Sequence, residues 1–107
     1  MGLAECFEPP YVAVIFSSRR TEGDRGYGRV AERMVTLAAQ QPGFLGVESA
    51  RDAEGFGLTV SYWKDEASVA AWKGNLEHAA AQKAGKEAWY AAFRLRVATV
   101  TRNHGMD

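Results

Sequence analysis

The chain has 107 residues, which suits one domain built around one core. Apolar residues make up 47% and charged residues 24%, and thirteen Lys and Arg balance thirteen Asp and Glu, so charge gives no ground for expecting nucleic acid or an anionic membrane as partner. A lone Cys6 cannot staple the fold, has no Cys or His near it at metal-ligand spacing, and points to a reducing, cytoplasmic setting.

The opening MGLAECFEPPY carries acids and two prolines where a signal peptide needs an apolar run. Its Met-Gly start also fails as a myristoylation motif, because Cys6 stands where Ser or Thr is needed. No stretch approaches the ~20 apolar residues that span a bilayer. Residues 1–10 therefore read as an irregular arm, closed by Pro9-Pro10, which lack two backbone donors.

YVAVIFSS, Tyr11 to Ser18, reads as a strand. Both alternating sets are apolar, Tyr11, Ala13 and Ile15 against Val12, Val14 and Phe16, so the strand should be buried on both faces. RRTEGDRGYG is a polar loop. Tyr27, Val30, Ala31, Met34, Leu37 and Ala38 then recur at helical spacing, which predicts an amphipathic helix over about residues 25–41. QQPGF stops it, since Pro42 cannot continue the ladder and Gly43 suits a left-handed exit.

FLGVESAR and GLTVSYW alternate around DAEGFG and read as a β-hairpin. Asp65 is placed as an N-cap, with Glu66 favouring the helix dipole. A helical region follows from about 66 to 92, broken or bent at Gly74 and Gly85. FRLRVATVTR, Phe93 to Arg102, is the last strand, and NHGMD a frayed tail at 103–107.

The order β-α-β-β-α-β is the ferredoxin-like, split βαβ pattern of an α+β domain over residues 11–102. It implies a four-stranded antiparallel sheet with both helices on one face. Yet the first strand is apolar on both sides, and the last offers Leu95 and Val97 on one side and Ala98 and Val100 on the other. A bare apolar sheet face exceeds what a soluble monomer tolerates. A second copy is expected to cover it, giving a homodimer of the α/β-barrel kind that buries on the order of 800 Å² or more per partner.

Three segments together resemble the antibiotic biosynthesis monooxygenase superfamily: AAQQPGFLGVES, LTVSYWKDEASVAAWK, and EHAAAQKAGKEAWY with FRLRVATVTR after it. The likeness covers about residues 11–102, and the QPGF turn and the YWKDEAS entry to the second helix are its most telling parts. It implies a dimeric α/β barrel with a cavity between sheet and helices in each subunit. In the monooxygenases of that superfamily an electron-rich aromatic substrate is held there as an anion and meets O₂ with no cofactor, neither flavin nor metal. The superfamily also holds haem-degrading enzymes and members of no known activity, and fold alone does not settle function. The rival reading is a non-catalytic, small-molecule-binding or structural homodimer of the same fold.

At 100° per residue His78 and Gln82 share a helix face, and Trp89 returns to it if the helix survives Gly85. His78 reads either as a base or hydrogen-bond donor to an anionic substrate, or as a structural histidine bonded near a helix junction. Trp72 stands where the resemblance places a pocket-lining Trp, whose indole N–H reaches a bound oxygen; the alternative is a core anchor. Tyr62 and Trp63 end their strand on opposite faces, and Tyr62 is the pocket candidate of the two because it shares a face with Leu58 and Val60. Trp89 and Tyr90 favour packing roles. Arg94 and Arg96 lie on one face of the last strand, set either to pair with Glu48 across the dimer or to hold a substrate carboxylate or phenolate. A small aromatic or apolar ligand near Tyr62, Trp72, His78, Gln82 and Trp89 is the resulting expectation. Haem degradation fits less well. The haem-ligating His of those relatives falls ten residues after Trp72, where this chain has Gln82, and the first strand lacks their Asn.

Overall fold

The computed structural model describes residues 2–106, Leu76 by its backbone alone. Four strands and three α-helices follow the expected order: β1 (Tyr11–Arg20), α1 (Tyr27–Ala39), β2 (Phe44–Arg51), β3 (Phe56–Trp63), α2 (Glu66–Lys73), α3 (Leu76–Ala84) and β4 (Tyr90–Val100). A π-helical turn, Gly85–Trp89, joins α3 to β4. All pairings are antiparallel, in the order β2-β3-β1-β4, which is the ferredoxin-like arrangement. No helix among the described residues is long and apolar enough to cross a membrane.

The second helical region is broken at Gly74 and Gly85, as expected, into two helices and a π turn. Gly74 caps α2, and Asn75 starts α3 by accepting hydrogen bonds from the Glu77 and His78 amides. Asp65 caps α2 as expected, accepting from the Ser68 amide at 2.8 Å and the Ser68 hydroxyl at 2.7 Å. Gly43 takes φ +85°, and a Cβ there would strike Ser68 Oγ. The turn after α1 is thus pressed against the start of α2.

Cross-strand register decides which side chains share a face. Val12 pairs with Trp63 and Val14 with Ser61, and this is the helix side: Val12, Trp63, Ala38 and Trp72 form the core, with Val14, Met34, Leu37, Phe44 and Val69 against it. Trp63 is fully buried and its indole donates to Ser61 Oγ. Tyr11, Ala13, Ile15, Val60, Tyr62 and Leu58 therefore face the other way.

That second face is not wholly bare. The arm crosses it. The Ala4 amide donates to Glu48 at 3.2 Å, Phe7 meets the Tyr11 ring edge-on, and Ala4 sits over Gly46. The tail joins in, since the Tyr11 hydroxyl donates to Asn103 Oδ1 at 3.1 Å. Toward the hairpin the face is open and apolar: Phe56 and Leu58 are 45% and 43% exposed, and Leu58 shares a shallow pocket with Gly2 and Leu3 of the arm.

Candidate active site

The corner between α2 and α3 brings two aromatic side chains together. Trp72 leaves the last turn of α2 and lies over Trp63, ring centroids 6.0 Å apart. His78, in the first turn of α3, packs on Trp72 with centroids 4.2 Å apart at 48°. Its Nδ1 is buried and has no hydrogen-bond partner. A native protein seldom buries an orphan nitrogen without a use for it. Burial lowers the His78 pKa from 6.5, and the positive end of α3 acts in the same sense. Both effects favour the neutral imidazole, in which one ring nitrogen keeps a lone pair.

Beyond this corner the exposed, apolar helix side of β1 and β4 offers the floor for a trough. Val14 pairs with Val97, Phe16 with Leu95 and Ser18 with Phe93, so all six share that side. Leu95 and Val97 are nonetheless 48% exposed. α3 packs mainly on α1 and α2, and the π turn after it makes the closer contact with β4. An Arg33–Glu77 pair at 3.1 Å holds α3 to α1. Gln82 lies half-buried on α3, one turn beyond His78.

Three candidates lie elsewhere. Tyr62 is on the opposite face of the sheet from His78 and Trp72, because Trp63 takes the helix side. Its hydroxyl donates to Glu48 Oε1 at 2.6 Å, and burial together with that carboxylate pushes its pKa up to about 12. Arg94 pairs with Ser17 and also faces away from the helices. Glu48 and Arg94 sit on opposite edge strands with β3 and β1 between, roughly 14 Å at ordinary strand spacing, too far to pair within one chain. Trp89 is a packing residue: its indole donates to the Arg25 carbonyl at 3.0 Å and its ring meets Tyr27 edge-on. The π turn rotates it off the His78–Gln82 stripe.

Sequence reasoning missed one cluster, at the far end of the trough. Arg20 lies over the Tyr27 ring at 3.7 Å and Arg51 at 5.7 Å. Arg51 donates to buried Ser18 at 2.8 Å, to the Tyr27 hydroxyl at 3.3 Å, and to the Gly55 carbonyl. Tyr90 is beside them, its ring edge-on to Tyr27 with centroids 5.9 Å apart, and its pKa is raised first by burial and then by Tyr27. The available signal was Arg51 standing opposite Gly57 in the hairpin: a Cβ on Gly57 would strike the guanidinium.

The model of the family described as antibiotic biosynthesis monooxygenase matches residues 10–84, from the start of β1 to the end of α3. The chain belongs to this family. YqjZ, an uncharacterized protein of Bacillus subtilis strain 168, is 55% identical over 100 residues, which cover 94% of this chain and 88% of the relative. SnoaB, a cofactor-independent oxygenase from Streptomyces nogalater, superposes with a TM-score of 0.71 at 13% identity over 92% of this chain and 98% of its own. A conserved protein from Methanosarcina mazei Go1 gives 0.74 at 9% identity over 83% and 91%. Likenesses at such identities show the shared fold. The His78–Trp72 corner lies on the helix side of that sheet.

Proposed function

We propose that the chain is a cofactor-independent monooxygenase that oxidises a small aromatic, quinone-precursor-like substrate with O₂, held in the trough between α3 and β4. One observation carries the reading: a buried, unpartnered His78 Nδ1 beside the Trp72 indole, at the end of an apolar floor. Family membership supports it. Substrate contacts fall to His78, Trp72 and Gln82, whereas Tyr62 and Arg94 belong to the other face.

With the proton on Nε2, neutral His78 keeps a lone pair at Nδ1, which a substrate reaches by displacing the side chains that cover that atom. It takes a proton from an anthrone-type CH₂ as the substrate anion forms. That anion reduces O₂ directly. One oxygen atom stays on the ring carbon as a carbonyl; the carbon's remaining C–H bond breaks together with the O–O bond, and the other oxygen atom leaves as water carrying that hydrogen and the proton returned by His78. CH₂ and O₂ thus become C=O and H₂O with no outside reductant. The apolar floor keeps bulk water from quenching the anion.

The working unit in this proposal is a homodimer. Leu58 and Phe56 leave an apolar strip on the open face. Stacking two such faces about an axis along the strands sets β4 of one copy over β2 of the other. Glu48 then lies on the side of Arg94 and Arg96 from the second copy, an isologous match of charge.

Aerobic incubation with anthrone- and hydroquinone-type substrates, followed by an oxygen electrode, tests the chemistry. The wild type should consume O₂ above background, and His78→Ala and Trp72→Phe together should abolish the excess. Ligand binding without oxygen uptake across the panel would instead establish the binding-only homodimer.

A further inference from the structure

The Arg20–Arg51–Tyr27 cluster has no part in the chemistry above, and its charge is unbalanced. Two guanidiniums stand within 6 Å of one tyrosine ring, while the ion pair found among the described residues is Arg33–Glu77, well away from them. Arg20 is partly compensated, since its Nε donates to the Trp89 carbonyl at the negative end of the π turn and its Nη2 to the Gly23 and Asp24 carbonyls. Arg51 has no such end to cap. Its three bonds, to Gly55, Ser18 and Tyr27, fix the plane of the guanidinium and leave Nε without a partner among the described residues. Arg20 Nη1 is in the same position. The site is shaped for the group: Gly57 has no Cβ where the Arg51 guanidinium lies. A guanidinium held in place with an Nε–H to spare, beside a second whose Nη1 is unused, can receive the oxygens of a carboxylate by charge-assisted hydrogen bonds.

Its location gives it a purpose. Ser18, which Arg51 holds, pairs with Phe93, the far end of the trough floor. Val14, at the core end, is four residues away along β1, or about 13 Å at ordinary strand rise. Phe16, Tyr90 and Phe93 line the stretch between with ring centroids 5.2 to 6.4 Å apart, a surface suited to flat fused rings.

We propose that Arg51, backed by Arg20 and Tyr27, docks an anionic group at the far end of the trough, so that the substrate is a fused-ring aromatic carboxylate whose reacting carbon reaches His78. This rests on the trough being the substrate site, and it adds the substrate's charge and length.

Anthracene-2-carboxylate and its neutral counterpart anthracene-2-carboxamide make the test, with quenching of tryptophan fluorescence as readout, Trp89 lying against Tyr27. The wild type should bind the carboxylate at least about tenfold more tightly than the amide. That preference should shrink as salt is added and vanish in Arg51→Met, with the amide's affinity unchanged. Equal binding of acid and amide by the wild type overturns the anion subsite while leaving the trough reading intact, and this arm needs no variant. A preference that survives in a folded Arg51→Met overturns it too. Failure of both ligands to bind overturns the subsite and the trough together.

Discussion

His78 and Trp72 meet across the Gly74–Asn75 corner with ring centroids 4.2 Å apart, and the imidazole turns a buried, unpartnered Nδ1 inward. The pairing has a signature in stability. Burial lowers the folded His78 pKa from 6.5, so as pH falls below about 6.5 the unfolded chain takes up a proton that the folded chain refuses. Folding stability should therefore decline between about pH 6.5 and the depressed folded pKa. Urea melts at a series of pH values should show this decline in the wild type and a flatter profile in His78→Phe. Superimposable profiles would mean that the imidazole is not held neutral.

Trp72 bears both on the core and on the site, and the two roles separate by substitution. Trp72→Ala removes a buried indole from between Trp63 and His78 and should cost about 3–5 kcal/mol in urea unfolding. Trp72→Phe keeps most of the contact and should cost less, yet lose oxygen uptake because the indole N–H is gone. Full activity in a folded Trp72→Phe would leave this residue a core anchor only.

Leu58 lies on the open face at 43% exposure, on the strip assigned to a second copy. Leu58→Asp should leave the fold intact, since that side chain is already largely open to solvent in the subunit, and should convert the dimer to a monomer in analytical ultracentrifugation. A wild type that sediments as a monomer at micromolar concentration would remove the dimer.

Gly43 is the position where a small change should do most local harm. Its φ of +85° disfavours a side chain, and a Cβ would displace Ser68 Oγ from its bond with Asp65. Gly43→Ala should destabilise by roughly 1–3 kcal/mol. Thermal melts of Gly43→Ala against Gly2→Ala, where a Cβ would meet open space, supply the control.

The element order was legible because periodicity, turn glycines and the Asp65 cap all point the same way. The facing of the sheet was not. Strand β3 sets Leu58, Val60 and Tyr62 against Thr59, Ser61 and Trp63, and the more apolar set is the one that faces away from the helices, so alternation alone does not say which of Tyr62 and Trp63 meets them. That depends on Val12 standing opposite Trp63 beneath Ala38 and Trp72. Carrying a helical period through Gly85 placed Trp89 beside His78, and the wider π turn moved it to Tyr27. The Arg20–Arg51 cluster escaped notice because its members are distant in sequence and meet only once β1, β2 and the loop before α1 converge. The arm read as irregular, and no local pattern announced that Ala4 reaches Glu48.

The five residues of the π turn have an evolutionary implication. A π turn holds one residue more than the helix needs to close its ladder. A one-codon deletion within 85–89 would be absorbed as ordinary α-helix, rotating α3 by about 100° against β4. A different set of side chains would then roof the trough while the sheet beneath stayed unchanged. A protein built this way can exchange one substrate wall for another in a single genetic step.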